Sequence, residues 1–263
     1  MRDRLKRIGI LVFSVRLLRA LGSQFGVNLV SSVTAAVRFL REFRRFRNMD
    51  SNPAFSAAAT DVLPYLRDRT SVTPLDPVYF YQDAWAAGYI FKHKPKRHYD
   101  IGSSAMTVGI LSQFVPTTMV DIRPVELSLP NLFFRKGTVL ALPFRDNTLE
   151  SVSSLCVVEH IGLGRYGDEL DPFGSEKAAK ELVRVTKPGG RIYFSVPVDS
   201  SNRVYFNAHR AFTREYVLSL FSDCRLEEER YIYGTVITNS YDAGRGFGTG
   251  LYLFAKKPRR RGR

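Results

Sequence analysis

The chain of 263 residues is long enough for one large domain, or for one domain with a small extension. Apolar residues make up 44% of it and charged residues 24%, which excludes a disordered or fibrous protein. Two cysteines are too few for a disulfide framework or a structural zinc site. The four histidines are not paired at metal-ligand spacing, so we expect no metal centre.

The net charge of +14 is concentrated at the two ends of the chain. Residues 1–47 carry 11 Lys and Arg against 2 Asp and Glu, and residues 256–263 carry 6 basic and no acidic side chains. The part between is nearly neutral, whereas a duplex-binding domain carries its charge on the fold itself. Such a charge distribution favours binding to an anionic surface, either a membrane or RNA. An equally favoured alternative is that the Arg-rich ends only aid solubility.

Residues 1–47 are predicted to form a basic helical extension. Apolar residues recur at helical spacing from Leu5 to Val15, and a second amphipathic segment runs from Val27 to Phe46, with four arginines near its end. The longest apolar stretch is too short to cross a bilayer, and we expect no signal peptide because a small-residue cleavage site is lacking. Two alternatives stay open: helices that lie in a membrane interface, or a helical hairpin packed on the main domain.

Residues 48–94 are rich in proline at first and then in aromatic side chains. The prolines predict a linker with a short helix at 60–67, and Asp76-Pro77 opens an aromatic helix that runs to about Phe91. Aromatic residues at this density usually pack rather than bind.

From residue 95 to 257 the pattern alternates between strands and helices. This alternation predicts an open, mostly parallel α/β sheet with helices on both faces. The predicted strands are 99–101, 118–122, 149–157, 191–196, 225–233 and 251–256, and residues 137–142 are a third short strand or a turn. The predicted helices are 107–114, 176–185 and 213–221. Residues 258–263 form a basic tail.

Two acidic residues end neighbouring strands, which is where open α/β sheets bind their ligands. Asp100 stands before Gly102, Ser103 and Ser104, small residues that let a backbone approach a ligand closely. Asp121 can accept hydrogen bonds from both hydroxyls of a ribose. The glycine pattern is not GxGxxG, which argues against a dinucleotide, and a strand-end Asp is also an ordinary cap or turn residue.

The order of motifs resembles that of the class I S-adenosylmethionine-dependent methyltransferases over about residues 95–257. Asp100-x-Gly102 and Asp121 resemble the family's first two motifs, and the later ones are LPF-D-N at 142–147, VxEHI at 157–161 and ELxRVxKPGG at 181–190. The run from Glu159 to Asp168, with Leu170-Asp171-Pro172, is similar to the DUF268 group of methyltransferase-like proteins. The resemblance implies a doubly wound, mostly parallel seven-stranded sheet behind the helical extension.

The resemblance also implies a site for S-adenosylmethionine along the strand ends. Asp100 would lie near the cofactor's ammonium, Asp121 at the ribose, Ile122 on the adenine, and Thr138 and Val139 at the adenine edge. The full set of implied cofactor residues is Asp100, Gly102, Ser103, Ser104, Asp121, Ile122, Thr138, Val139, Leu155, Cys156 and Val157. Ser103 and Ser104 stand where the family usually has glycine, and Thr138 where many members have an acidic residue.

His160 is the candidate catalytic base, because an imidazole of ordinary pKa, about 6.5, can take a proton from a hydroxyl. The alternative is that His160 only hydrogen-bonds the loop behind it, since methyl transfer depends mainly on alignment. Glu159 is expected to be a structural acceptor. The loop 162–174 is expected either to contact the substrate or to be a self-packed turn. The candidate substrate residues are Arg165, Tyr166, Asp168, His209 and Arg210. For His209 and Arg210 a role in stabilising the loop is the favoured alternative.

Together these features predict transfer of a methyl group from S-adenosylmethionine to a hydroxyl of a glycan or another small substrate, in surface-polysaccharide synthesis. We expect a cytoplasmic protein that the basic extension holds against anionic lipid. The alternative is a non-catalytic methyltransferase-like module that engages RNA, membrane or a protein partner through its basic ends. Nucleic acid is the least favoured partner.

Overall fold

The computed structural model describes residues 29–258, apart from residues 53, 56, 67 and 124. The earlier part of the basic extension and the tail after residue 258 lie outside the described residues. The chain divides into two compact units, Met1–Pro74 and Leu75–Arg263.

The first unit contains helix α1, Leu29–Met49, and a 3₁₀ turn, Ala59–Asp61. The turn stands where a short helix at 60–67 is predicted, and that prediction is wrong. Pro64 explains the difference, because proline lacks a backbone donor and forces the residue before it into an extended conformation. Glu42 on α1 and Arg69 form an exposed ion pair of 3.1 Å within this unit.

The second unit contains ten strands and four α-helices among its described residues. The strands are β1 (His98–Ile101), β2 (Thr117–Asp121), β3 (Leu132–Lys136), β4 (Leu149–Leu155), β5 (Thr186–Val198), β6 (Arg203–Tyr205), β7 (His209–Ala211), β8 (Cys224–Tyr233), β9 (Val236–Thr238) and β10 (Gly248–Lys256). The helices are α2 (Pro77–His93), α3 (Ala105–Leu111), α4 (Gly174–Val185) and α5 (Arg214–Leu220).

Eight strands form one sheet in the order β3-β2-β1-β4-β5-β10-β8-β9. Neighbours from β3 through β5 run parallel, and β10, β8 and β9 pair antiparallel. The direction of winding reverses between β1 and β4, which is the switch point of a doubly wound sheet. The mostly parallel α/β architecture is therefore confirmed. The sheet exceeds the expected seven strands because β9 returns along β8 through a tight turn at Gly234.

Of the two alternatives for residues 137–142, a short strand or a turn, the structure shows the turn. The third strand is β3, which pairs with β2 at the edge of the sheet, and residues 138–141 form a turn closed by a bridge between Thr138 and Ala141. Phe133 and Phe134 on β3 are largely exposed. An exposed edge strand lacks the alternation of buried and polar residues on which the prediction depends.

Helices cover both faces of the sheet. On one face Phe194 of β5 packs in the same core as Leu182 of α4, and on the other Tyr193 packs with Ala86 and Ile90 of α2. Successive residues of a strand point to opposite faces, so β5 contributes to both cores. Because α2 packs into this core, the aromatic helix belongs to the second unit. The sequence analysis instead predicts one segment, 48–94, that contains both the linker and this helix.

Candidate functional site

Two adjoining clefts open beyond the carboxyl ends of β1, β2 and β4. The first has about 720 Å³ of space, its open mouth included, and the second about 1170 Å³. The first is lined by the ends of these strands, by residues 137–140 and by the loop after β4. Gly102, Arg123, Cys156, His160 and Tyr166 line both clefts. The clefts therefore adjoin at the switch point of the sheet.

The turn between β1 and α3 is held tightly against the end of β4. Gly102 has φ of +73°, and a Cβ there would lie 3.0 Å from Cγ1 of Val157. Leu155 N donates to Ser103 Oγ at 3.0 Å. A residue other than glycine at position 102 would be strained both in its backbone and against Val157.

Asp100 is fully buried and lines neither cleft, so the structure does not place it where it can meet a cofactor's ammonium. Its Oδ1 accepts a hydrogen bond from Ser103 N at 3.0 Å, and its Oδ2 accepts one from the hydroxyl of Ser153. Burial raises the pKa of Asp100 to about 6. The side chain thus fixes the turn from inside the sheet.

His98 continues this buried polar chain. Its Nε2 lies 2.8 Å from Ser153 Oγ and its Nδ1 lies 2.8 Å from Ser151 Oγ. Because Ser153 gives its proton to Asp100, we assign the imidazole proton to Nε2, with Nδ1 accepting from Ser151. Burial lowers the pKa of His98 to about 3, so the ring is neutral. The sequence analysis did not identify His98, because nothing in its position at the start of a strand distinguishes it from a residue of the core.

Asp121 presents its carboxylate to the first cleft at the end of β2. The side chain is 9% exposed, and Oδ1 accepts from Arg123 N at 2.8 Å. Among the described residues Oδ2 accepts no hydrogen bond, so it can receive a ligand's hydroxyl. Ile122 and Val139 supply apolar walls beside it, and the Thr138 hydroxyl accepts from Leu140 N at 3.3 Å.

The structure brings most of the expected cofactor residues to one of the two clefts. The first cleft is lined by Gly102, Asp121, Ile122, Thr138, Val139, Cys156 and Val157. Ser103, Ser104 and Leu155 line the second cleft instead. Cys156 has φ of +53°, and burial raises the pKa of its thiol well above the ordinary range. The thiol is therefore protonated at neutral pH.

His160 lies at the wall shared by the clefts, in a 3₁₀ turn, Val158–His160, that follows β4. Its Nδ1 lies 2.7 Å from the carbonyl oxygen of Ala208, so Nδ1 carries the proton and donates it there. Its Nε2 lies 3.6 Å from Oε1 of Glu159. Burial lowers the pKa of His160 to about 4, which makes the imidazole a weak base.

Glu159 lies beside His160 and is only 1% exposed. Burial raises the pKa of this carboxyl to about 8, so it is mostly protonated at neutral pH. Its Oε2 has no hydrogen-bond partner among the described residues. Glu159 lines the second cleft. The carboxyl does accept hydrogen bonds from its own backbone N–H and from the Cys156 thiol, which lower its pKa in part, as expected for a structural acceptor.

The loop 162–174 is packed on itself, which is one of the two alternatives left open by the sequence. Asp168 accepts hydrogen bonds from Gly162 N at 2.6 Å and Tyr166 N at 3.3 Å. These backbone donors lower the pKa of Asp168, against an opposing effect of burial. Asp168 still lines the first cleft. Its carboxylate is already committed to the turn.

Arg165, Tyr166 and His209 line the second cleft, as expected for substrate residues. The guanidinium carbons of Arg123 and Arg165 lie 5.0 and 5.2 Å from the centre of the Tyr166 ring, within cation–π range. Arg165 also donates to Ala208 O at 3.0 Å. The mouth of the second cleft is therefore both aromatic and cationic.

Arg210 does not line either cleft, so its expected contact with substrate is not supported. The side chain is buried and donates to the carbonyl oxygens of Ile161 and Asp171 at 2.5 and 3.0 Å, and to Ser175 Oγ at 3.2 Å. A fourth contact, to Pro172 O, measures 3.4 Å. Arg210 holds the loop 162–174 in place.

Several lining residues of the second cleft are missing from the sequence-based set. They are Asp76, Tyr79, Arg123, Pro197, Phe247 and Thr249. Arg123 could have been identified from the sequence, because it stands two residues after Asp121. Tyr79 belongs to a helix whose aromatic residues suggest packing, and nothing in the sequence connects the segment at 247–249 with β4.

Within residues 29–258, as far as they are described, no three His, Cys, Asp or Glu side chains cluster as metal ligands. In that same part of the chain, no helix has the length and apolarity needed to cross a membrane.

Comparison with known proteins agrees with this architecture. A "putative sarcosine dimethylglycine methyltransferase" from Galdieria sulphuraria superposes with a TM-score of 0.51 at 13% identity, over 68% of this chain and 86% of that one. The chain has the class I methyltransferase fold. The family model described as "Caenorhabditis protein of unknown function, DUF268" matches residues 143–223. The resemblance to this superfamily is thus confirmed in fold, and the resemblance to the DUF268 group is confirmed over residues 143–223.

Two further methyltransferase structures are similar to the chain at lower TM-scores. A geranyl diphosphate methyltransferase in complex with S-adenosylmethionine has a TM-score of 0.49 at 12% identity and covers 66% of this chain and 85% of its own. The Burkholderia thailandensis 1,6-didemethyltoxoflavin-N1-methyltransferase, with S-adenosylhomocysteine, has a TM-score of 0.46 at 14% identity and covers 72% and 94%. No curated protein sequence matches the chain.

Proposed function

We propose that the second unit binds S-adenosylmethionine in the first cleft and transfers its methyl group to a hydroxyl of a glycan or another small substrate. The observation that carries the proposal is the carboxylate of Asp121. It stands at the end of β2, on the wall of an otherwise largely apolar cleft, and its Oδ2 accepts no hydrogen bond from the residues that the structure describes. This is where the nucleoside of a ligand lies in doubly wound folds.

The donor set of the first cleft fits a nucleoside at one end. Asp121 offers a carboxylate to a pair of hydroxyls, and Ile122 and Val139 offer apolar surface to a planar base. At the other end the cleft offers Gly102 and Cys156, while the carboxylate of Asp100 lies behind them in the sheet. We therefore assign nucleoside recognition to Asp121 and the shape of the turn to Asp100.

When bound, S-adenosylmethionine supplies an electrophilic methyl group on a sulfonium. The protein's contribution is alignment of the acceptor with that group, which can account for much of the rate of such a reaction. The second cleft adjoins the first at Gly102 and Cys156, which line both. Residues around this junction set the approach of the acceptor.

The second cleft favours a polyhydroxylated acceptor. Tyr79, Tyr166 and Phe247 present aromatic rings, and the polar groups of Arg165 and His209 stand among them. Ring faces suit the apolar face of a sugar, and the polar groups suit its hydroxyls. This mixture supports a glycan over a purely apolar substrate, and surface-polysaccharide synthesis is the context we propose for it.

Calorimetry with S-adenosylmethionine and S-adenosylhomocysteine on the full chain tests the cofactor. We expect heat with both ligands. Asp121→Ala removes the acceptor of charge-assisted hydrogen bonds worth about 1.5–3 kcal/mol each, so affinity should fall roughly 10- to 100-fold or more. Asp223→Ala, at an exposed carboxylate before β8, is the matched control. The absence of heat with well-folded wild-type protein would favour the non-catalytic module instead.

Methyl-labelled S-adenosylmethionine incubated with the chain and with cell fractions tests the acceptor. We expect label in the polysaccharide or lipid-linked sugar fraction. Label in RNA or protein would overturn the choice of substrate and leave the cofactor site standing.

We also propose that α1 of the first unit lies on an anionic membrane surface. Val33, Val37 and Leu40 recur along one face and are 56%, 50% and 53% exposed. Arg41 and Arg44 follow one turn after Val37 and Leu40, and Arg45 and Arg47 come next. Apolar residues flanked by arginine are typical of interfacial helices, and each basic residue near anionic lipid contributes about 1 kcal/mol.

Flotation with phosphatidylserine-containing vesicles tests this second proposal. The full chain should float, and the double variant Val37→Glu, Leu40→Glu should not. Gln113→Glu, Ser222→Glu adds the same charge at exposed positions of the second unit and should still float. Equal flotation of all three proteins would refute the proposal, and salt-dependent RNA binding would favour the alternative module.

A further inference from the structure

Glu159 lines the second cleft close to its junction with the first. It belongs to the 3₁₀ turn that follows β4 and lies three residues after Cys156, which lines both clefts. The clefts adjoin here, so an acceptor aligned with a ligand of the first cleft passes beside this turn.

One oxygen of Glu159 has no hydrogen-bond partner in the part of the chain that the structure describes. The residue is 1% exposed, yet Oε2 accepts no hydrogen bond and Oε1 lies 3.6 Å from His160 Nε2. Folded proteins keep few buried polar atoms unpaired, and the exceptions often have a catalytic role. A ligand's hydroxyl in the second cleft would supply the missing partner.

His160 is poorly suited to take a proton at this place. Its Nδ1–H is donated to Ala208 O, and Arg165 Nη1 donates to the same oxygen. Burial and the nearby guanidinium of Arg165 lower the pKa of the imidazole to about 4. Its remaining nitrogen, Nε2, is nearest to Glu159 rather than free.

We infer that Glu159, rather than His160, accepts the proton of the acceptor hydroxyl during methyl transfer. The inference rests on the proposed function. In the balanced step the hydroxyl oxygen forms a bond to the methyl carbon, and the carbon–sulfur bond breaks with its electron pair returning to sulfur. The hydroxyl proton goes to the Glu159 carboxylate, so the products are an ether, a neutral thioether and a carboxylic acid.

The titratable and charged groups around Glu159 come from several elements. Cys156, His160 and Arg165 lie in its own loop, Tyr79 and Asp83 belong to α2, and His209 and Arg210 stand on β7. His160 Nε2 lies 3.6 Å from Glu159 Oε1, and the Cys156 thiol and the Arg165 guanidinium lower the pKa of the carboxyl in part. With burial as the main cause, the carboxyl has a pKa of about 8. The reactive carboxylate is thus formed as the pH rises through that value.

The test compares Glu159→Gln with Glu169→Gln, a matched change at an exposed glutamate of the same loop. The probes are methyl-labelled S-adenosylmethionine and the polysaccharide fraction of the cells. Loss of a general base lowers rates by about 10²–10⁴-fold, so we expect a fall of that size in kcat for Glu159→Gln and none for Glu169→Gln. Calorimetric affinity for S-adenosylmethionine should be unchanged in both variants.

The pH profile separates a base from a positioning group. The wild-type rate should rise with pH toward a plateau above about 8, and the His160→Gln variant should keep that rise whatever its absolute rate. The residual rate of Glu159→Gln should not depend on pH over this range. The inference would be overturned if Glu159→Gln transferred methyl groups at the wild-type rate. It would also be overturned if the rate of His160→Gln no longer rose with pH.

Infrared spectroscopy of the ligand-free protein gives a readout that does not need activity. At pH 7 we expect a protonated-carboxyl band that is absent from Glu159→Gln and present in Glu169→Gln. Glu159 already ionised at pH 7, together with a wild-type rate that still rises toward pH 8, would overturn the inference, because another group would then be the titrating base. Failure of the proposed function has a different signature, which is no calorimetric binding and no methyl transfer in the wild type, and the inference falls with it.

Discussion

Replacing Arg210 should destabilise the second unit, because this buried guanidinium ties the loop 162–174 to the sheet. It donates to the carbonyl oxygens of Ile161 and Asp171 and to the hydroxyl of Ser175, in a buried setting. In Arg210→Ala these acceptors lose their donor at once. Ser175 itself donates to Val158 O at 2.7 Å, so the turn that carries Glu159 loses support as well.

The size of the loss follows from the number of bonds. A hydrogen bond from a charged donor contributes about 1.5–3 kcal/mol to stability. Arg210→Ala removes three such bonds, but water can hydrogen-bond to some of the acceptors that they leave. We therefore expect Arg210→Ala to lower the free energy of unfolding by about 3–5 kcal/mol. For a unit of this size that is a fall in Tm of roughly 10 °C. Arg210→Lys keeps the charge but not the planar fork, so its loss should be intermediate.

Urea unfolding followed by the fluorescence of Trp85, the only tryptophan, measures this loss, because Trp85 lies in α2 of the second unit. Arg203→Ala is the control, since its side chain is 53% exposed on the neighbouring strand β6 and its removal should cost under about 0.5 kcal/mol. A loss below about 1 kcal/mol in Arg210→Ala would refute the reasoning, because buried carbonyls would then be satisfied without the guanidinium.

Two further predictions concern the turn at Gly102 and the buried carboxyls. Gly102→Ala should lower the free energy of unfolding by about 1–3 kcal/mol and weaken S-adenosylmethionine binding, whereas Gly167→Ala, with φ of +83° and open space at its Cβ, should cost less. Equal losses in urea unfolding would contradict a role for the contact with Val157. Below about pH 6.5 the lowered pKa values of His98 and His160 offset the effect of the raised pKa values of Asp100 and Glu159 on stability. The wild-type free energy of unfolding should therefore fall as the pH rises from about 7 to 8, because burial raises the pKa of Glu159 to about 8 and the folded state holds more protons there than the unfolded one. Glu159→Gln should flatten this fall where Glu169→Gln does not, and identical slopes would exclude a raised pKa at Glu159.

The sequence predicts the parallel sheet well because its central strands are buried on both faces. β2 and β4 carry unbroken or nearly unbroken buried residues, and both are predicted within a few residues of their observed bounds. The edge strand β3 is missed because four of its five residues are exposed, which leaves no periodic signal. Prediction here succeeds where burial dictates residue type and fails where it does not.

The residues of the candidate site also differ in how well the sequence predicts them. Asp121 is predictable because it stands at the end of a buried strand and reaches the cleft. Asp100 is misplaced because β1 is only four residues long, and Asp100 lies inside the sheet, opposite Met119 on β2 and Ser153 on β4. Phe247 and Thr249 meet the site only because β10 pairs with β5, a contact between segments some fifty residues apart in sequence.

Asp100 and Glu159 show why burial alone does not identify a reacting group. Both carboxyls are buried next to the clefts, and burial raises the pKa of each. Asp100 accepts hydrogen bonds from Ser103 N and the Ser153 hydroxyl, and these partly offset the effect of burial. Glu159 lines the second cleft, and its Oε2 has no hydrogen-bond partner among the described residues. A carboxyl whose oxygens are both occupied can only hold its neighbours in place, whereas one with an unpaired oxygen beside a cleft can exchange a proton with what enters.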